Sequence, residues 1–191
     1  YGRQAHASTS HLGLNAINAM AEFLVRLKRH LFRHQHHELL GSYTVNVGEI
    51  SGGAAANIVP GYCQVAIDMR LVPGMTMAGV RQELLSLSDG LDGRFEVEIQ
   101  SGTEAHEVDY RHSPLVALVR RIGAEVTGQE PQLIGMGGNT YAKHLYFHGI
   151  KEAVGYSAGD NDAMHVANEY ASISEHVRLA QAFAEIAVEL L

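Results

Sequence analysis

The spacing of apolar residues changes period repeatedly along the first hundred residues, and this order of changes constrains the fold more than any other feature. Residues 15 to 29 carry Ile17, Met20, Leu24 and Leu27 at helical spacing, behind Asn15, whose short amide suits a helix N-cap. Residues 43 to 50 (YTVNVGEI) and 62 to 70 (YCQVAIDMR) alternate with period two, as strands with one face on a core do. Between them lies a loop of small residues, 51 to 60. Pro73 and Gly74 signal a turn. Thr76 can cap a second helix running to about Leu87, and Asp89 with Gly90 stops it. Arg94 to Gln100 alternates again. Helix, strand, strand, helix, strand is most of a βαββαβ, ferredoxin-like unit whose first strand would lie at or before residue 1.

From about Glu104 the pattern shifts. Pro114 to Thr127 reads as a helix ended by Gly128. Leu133 to Thr140 reads as a Gly-rich turn entering a short helix that ends near His148. Residues 153 to 156 form a short apolar run with strand character, and Ser172 to Leu191 a long amphipathic helix. Strands alternating with helices point to an α/β domain with a parallel sheet. The expected architecture is therefore α/β in class: an α+β domain over residues 1–108, then a segment of an α/β domain over 109–191.

Composition excludes some partners. The chain is 46% hydrophobic and 18% charged, enough apolar residues to bury a core. A formal net charge of -7 argues against nucleic acid and anionic membranes, which need clustered Lys and Arg. No apolar run approaches the roughly 20 residues of a membrane span. Cys63 is the only cysteine, so no internal disulfide forms, which fits a reducing, cytoplasmic setting. The chain opens without Met or an apolar leader-like stretch, and is expected to be a piece of a longer protein.

Several residues could carry chemistry. His165 stands in a Gly/Asp-rich loop near Asp160, Asp162 and Glu169. It is either a metal ligand at a sheet edge, with a carboxylate fixing its tautomer, or a loop histidine bonded to backbone. His6 lies among small neighbours that permit close approach; it could donate to a developing oxyanion or simply occupy a surface loop. Arg70, at a strand end, could grip a carboxylate through two parallel bonds or pair with Asp68. Asn57 could donate to the same carboxylate from a tight loop, or be an ordinary turn residue. The stretch from Gly135 to Thr140 (GMGGNT), including Gly138 and Thr140, exposes backbone N–H groups before a helix but lacks the ending of a P-loop. His30, His34, His36 and His37 look like a cluster, with His30 and His34 at the spacing of one helix face. Lys28, Arg29 and Arg33 beside them repel a metal ion, so they read as a solvated basic patch.

Five segments in order carry a resemblance. They are residues 2–8 (GRQAHAS) with Gly13, Asn15, Ala16 and Ile17, residues 52–60 (GGAAANIVP), Asp68 with Arg70, residues 137–143 (GGNTYAK), and Met164, His165, Asn168, Glu169 and Tyr170. Together the chain resembles the dinuclear zinc aminoacylase and metallopeptidase family: acetylornithine deacetylase, succinyl-diaminopimelate desuccinylase, carboxypeptidase G and, most of all, dipeptidase V-like dipeptidases. The resemblance implies a zinc-binding α/β domain interrupted by a βαββαβ lid. Residues 1–108 would be lid and dimerisation domain, and 109–191 the last part of the catalytic domain. It implies that His165 is a zinc ligand, that His6 stabilises the tetrahedral intermediate, and that Asn57 and Arg70 hold the substrate carboxylate. Two divalent ions are expected in the complete protein, zinc first, with Mn or Co as alternatives. The implied reaction is hydrolysis of the amide bond of dipeptides or N-acyl amino acids, with a homodimer formed through the lid. The other expectation is a non-catalytic lid and oligomerisation fragment, because the remaining metal ligands of such a site are not in this chain. A ferredoxin-like regulatory domain would explain the first half but not the His165 segment.

Overall fold

A computed structural model describes residues 1–159 and 167–191. The chain divides into two compact units, Tyr1–Ala105 and His106–Leu191.

In the first unit, helix α1 (Ala16–Arg29) begins where its sequence says it should. Asn15 Oδ1 accepts from the backbone N–H of Ile17 at 2.9 Å and of Asn18 at 3.1 Å. These groups otherwise have no partner inside the helix. One stripe of α1, Ala16, Ala19, Phe23 and Leu27, is buried. Strands β1 (Thr44–Gly52) and β2 (Cys63–Arg70) pair antiparallel, from Thr44 opposite Arg70 to Gly52 opposite Cys63, with an irregularity between Val47 and Glu49. Alternate residues of β2, among them Ile67 and Met69, turn toward the core. Helix α2 (Met77–Ser86) is capped by Thr76 Oγ1, which accepts from Gly79 N at 3.0 Å. The core gathers Phe23 and Leu27 of α1, Val80 and Leu84 of α2, and Phe32, Val72 and Met75 from the connections. Arg26 fastens α1 to the end of α2, donating from Nη1 to the carbonyls of Leu87 and Asp89.

The segment from Arg94 to Gln100 departs from the strand expected of it. Its alternation holds, since Phe95 and Val97 pack against the core while Glu96 and Glu98 face out. Yet no ladder forms there among the described residues beyond an exchange of backbone bonds between Tyr1 and Arg94, at 2.8 and 3.0 Å. Alternation decides which side chains turn inward; a ladder also needs a neighbouring strand.

The histidine-rich stretch is not a freely solvated patch. α1 ends at Arg29, so His30 and His34 share no helix face. His30 Nε2 meets Glu83 Oε2 at 2.9 Å, and His34 Nδ1 donates to the Phe32 carbonyl at 2.9 Å. Both rings stack edge-on against aromatic neighbours, Phe32 and Tyr43.

In the second unit, α3 (Pro114–Thr127) starts at the buried Ser113, whose Oγ accepts from Val116 N at 3.1 Å and donates to the Glu152 carboxylate. Gly128 ends it in the left-handed region, φ 76°, which glycine enters without a Cβ penalty. A short helix α4 (Tyr141–Phe147) follows, then α5 (Ile173–Glu189), capped by Ser172. α3 and α5 pack through Ile122, Ala182 and Ile186, with Tyr156 and Leu118 alongside. Among the described residues this unit has no strand. Residues 153 to 156 join no ladder with the described residues, although Ala153 is buried. Among the described residues no helix is long and apolar enough to cross a membrane.

Candidate functional site

The first fourteen residues run as a loop laced to the segment before β2. Arg3 and Leu14 exchange two backbone bonds, at 2.9 and 2.8 Å, closing the loop on itself. Gly2 N donates to the Gly61 carbonyl at 2.8 Å and Ala16 N to that of Pro60 at 2.9 Å. Between these ties His6 sits opposite Ile58 in an antiparallel bridge, flanked by Ala7 N to Asn57 O at 2.9 Å and Val59 N to Ala5 O at 2.8 Å. The two candidate residues His6 and Asn57 are thus held on adjacent backbone although 51 positions separate them in sequence (57 − 6).

The approach is close enough to need glycine. A Cβ on Gly2 would stand 2.2 Å from the Leu14 carbonyl oxygen, and one on Gly13 would meet Val59, Ala5 and Arg3 together. Both glycines belong to the motif read from the sequence, and the structure supplies their reason. A 3-10 helix, Ala7–Leu12, carries the chain away from His6, whose carbonyl accepts from Thr9 N at 2.9 Å. The His6 ring is exposed, and its Nδ1 faces Ser8, 2.7 Å from Oγ and 3.2 Å from the backbone N.

Arg70 lies exposed at the end of β2. Its Nε donates to Asp68 Oδ1 at 2.7 Å and its Nη2 to Asp68 Oδ2 at 2.9 Å. The pairing with Asp68 allowed by the sequence is therefore present, in the two-pronged form that fixes a guanidinium plane. A substrate carboxylate taking that edge has to displace Asp68. Both groups are about half exposed, so the pair adds little to stability. In the second unit, Gly138 is exposed in the loop before α4. Thr140 stands at the cap position, with its carbonyl accepting from Lys143 N at 3.2 Å and no cap bond from its side chain. His165 lies outside the described residues. Among the described residues no group of three His, Cys, Asp or Glu is placed to hold a metal ion. Cys63 is buried, which pushes its thiol up and leaves it unreactive.

The histidine and amide loops lie at one end of a two-stranded sheet packed with two helices, and Arg70 lies at the other end of β2, an α+β arrangement. Residues 1–94 match the family described as Peptidase dimerisation domain, of the M20 type. An acetylornithine deacetylase from Myxococcus xanthus is 30% identical over 185 residues, covering 93% of this chain and 47% of that protein. Another, from Vibrio atlanticus, is 33% identical over 111 residues, 56% of this chain and 29% of that protein. Among solved structures, a tripeptidase from Staphylococcus aureus shares the fold with a TM-score of 0.71 at 24% identity, covering 97% of this chain and 48% of that one. An M20 family metallo-carboxypeptidase from Sulfolobus solfataricus gives 0.64 at 18% identity, covering 96% and 54%. Residues 1–94 belong to the M20-type peptidase dimerisation family, and the chain spans about half the length of the Myxococcus relative.

Proposed function

We propose that this chain is the dimerisation domain and a following catalytic-domain segment of a metal-dependent hydrolase that cleaves the amide bond of N-acyl amino acids or dipeptides. The observation that supports the reading is the His6–Ile58 bridge, which holds the backbone of His6 next to that of Asn57 in a domain of the M20 type. In this reading His6 donates to the oxygen that gains charge as the amide carbon becomes tetrahedral. Arg70 would hold the free carboxylate of the substrate, with Asp68 keeping the guanidinium aimed until that carboxylate arrives; Asn57 lies toward the other end of β2, so it would share that carboxylate only if supplied by a second copy of the domain. In the second unit, backbone N–H groups near Gly138 and Thr140 are proposed separately as substrate-binding groups. The deacetylase relatives favour an N-acyl amino acid over a dipeptide.

The parent's metal, two zinc ions or Mn or Co in their place, would supply an activated water. His165 is the proposed ligand from this chain, and the other ligands would come from elsewhere in the parent. The steps assigned to this chain are carboxylate binding and oxyanion donation.

A second reading is favoured by the open edge of β1. All of its residues, Thr44 to Gly52, are exposed, and it pairs only with β2 among the described residues. An unpaired strand edge is a template for another chain. The chain by itself would then be a non-catalytic module that forms a homodimer, partnering neither nucleic acid nor membrane.

Steady-state kinetics of the parent on N-acetyl amino acids and dipeptides test the first reading. Arg70→Ala should raise KM by about 10-fold or more, as loss of a charge-assisted pair does, with a smaller change in kcat. Unchanged KM and kcat remove Arg70 from the site, and no turnover of either substrate class defeats the reading.

A further inference from the structure

We infer that Ser8 is a positioning residue that holds His6 in the tautomer with its proton on Nε2; its consequence for rate rests on the role of His6 proposed above. The geometry leaves one consistent arrangement. The backbone N–H of Ser8 points at His6 Nδ1, 3.2 Å away, and a backbone N–H can only donate. That bond makes Nδ1 an acceptor, but at 3.2 Å it is long and does not fix the ring alone. The Ser8 hydroxyl, 2.7 Å from the same atom, can turn to donate as well. A proton on Nδ1 would face the Ser8 N–H and break the side-chain cap of the 3-10 helix Ala7–Leu12, whose N-cap residue is His6. With Nδ1 accepting twice, the neutral ring carries its proton on Nε2.

That assignment decides what the ring can offer. Nε2 makes no hydrogen bond among the described residues, so its N–H is available to a ligand. With the proton on the other nitrogen, Nε2 would present a lone pair to a developing oxyanion and repel it. The spacing has a simple cause: two residues on, the backbone N–H and the hydroxyl of Ser8 both come back within reach of the ring, as in the short turns that side-chain acceptors make.

The tautomer is read directly by long-range 1H–15N spectra of the 191-residue chain labelled on histidine, with His6→Gln assigning the signal. We expect the proton on Nε2. Ser8→Ala keeps the 3.2 Å backbone donor but removes the shorter hydroxyl bond, so it should move a measurable fraction to Nδ1, and Ser8→Thr, which keeps the hydroxyl, should retain the original signal. A wild-type proton on Nδ1, or a ratio unmoved by Ser8→Ala, overturns the inference. In the parent enzyme Ser8→Ala should lower kcat by about 3- to 10-fold, the span of one lost hydrogen bond, with KM unchanged and Ser8→Thr active. An unaffected kcat in an enzyme that His6→Ala disables overturns the positioning role. An enzyme indifferent to His6→Ala defeats the oxyanion reading instead, and the spectra then still decide the tautomer.

Discussion

Replacing Gly13 by alanine sets two effects of opposite sign against each other. Its φ of −97° suits any residue, so removing glycine's freedom from the unfolded chain should stabilise by about 0.4–1 kcal/mol. The added methyl, however, would stand 2.9 Å from Val59 Cγ1, 3.0 Å from Ala5 Cβ and 3.0 Å from the Arg3 carbonyl oxygen. Val59 is buried and cannot swing aside. The Arg3 oxygen accepts from Leu14 N at 2.8 Å, so moving it stretches that bond. Overpacking of this kind costs about 1–3 kcal/mol, which exceeds the entropic gain. The net expectation is a loss of about 1–2 kcal/mol, or about 0.5–1 M in the urea midpoint of the first unit. Hydrogen exchange should localise the damage, because Ala5 and Val59 share the bond beside His6; the amides of Ala7 and Val59 should exchange faster. A midpoint unchanged or raised, with those amides still protected, would refute the steric argument and the claim that this packing holds His6 beside Asn57.

Two further outcomes follow from the second unit. Ile122 is 1% exposed between α3 and α5, so Ile122→Ala should destabilise the unit by about 2–5 kcal/mol in chemical denaturation, and a cost under 1 kcal/mol would mean the helices are held elsewhere. His106 packs on Tyr146 and Phe147; burial, then Lys143 and Lys151, hold its ring below the ordinary value of 6.5. The unfolded chain therefore binds that proton more readily, and stability should fall as pH drops through 6.5 toward the folded value. Denaturation midpoints measured against pH should show this decline and lose it in His106→Gln; a slope that survives the substitution belongs to another group.

Local features were legible in the sequence, and features made by distant residues were not. Asn15 and Thr76 cap helices where their side chains suggested, because a cap bond spans only two or three residues; Ser113 and Ser172 do the same without having been singled out. The alternation at 94–100 and the apolar run at 153–156 overstated strand content, since a ladder depends on a neighbour that periodicity does not reveal. His6 and Asn57 each stood out alone, but their pairing was invisible across the 51-residue gap. The signal was present in Gly2 and Gly13, whose missing Cβ atoms make the close approach possible. The histidines at 30–37 drew attention by number. Glu83, remote in sequence, and Tyr43, nine residues beyond His34, give two of them structural work. Ser8 went unremarked because serines in loops are common; only the ring geometry of His6 singles it out.

The central claim is that His6 acts on the transition state of amide cleavage. Its most direct measurement is kcat and KM of the parent carrying His6→Ala, with N-acetyl amino acids as substrates. The account predicts that kcat falls by about 10²- to 10³-fold, as loss of an oxyanion donor does, while KM changes little. An undiminished kcat would contradict it.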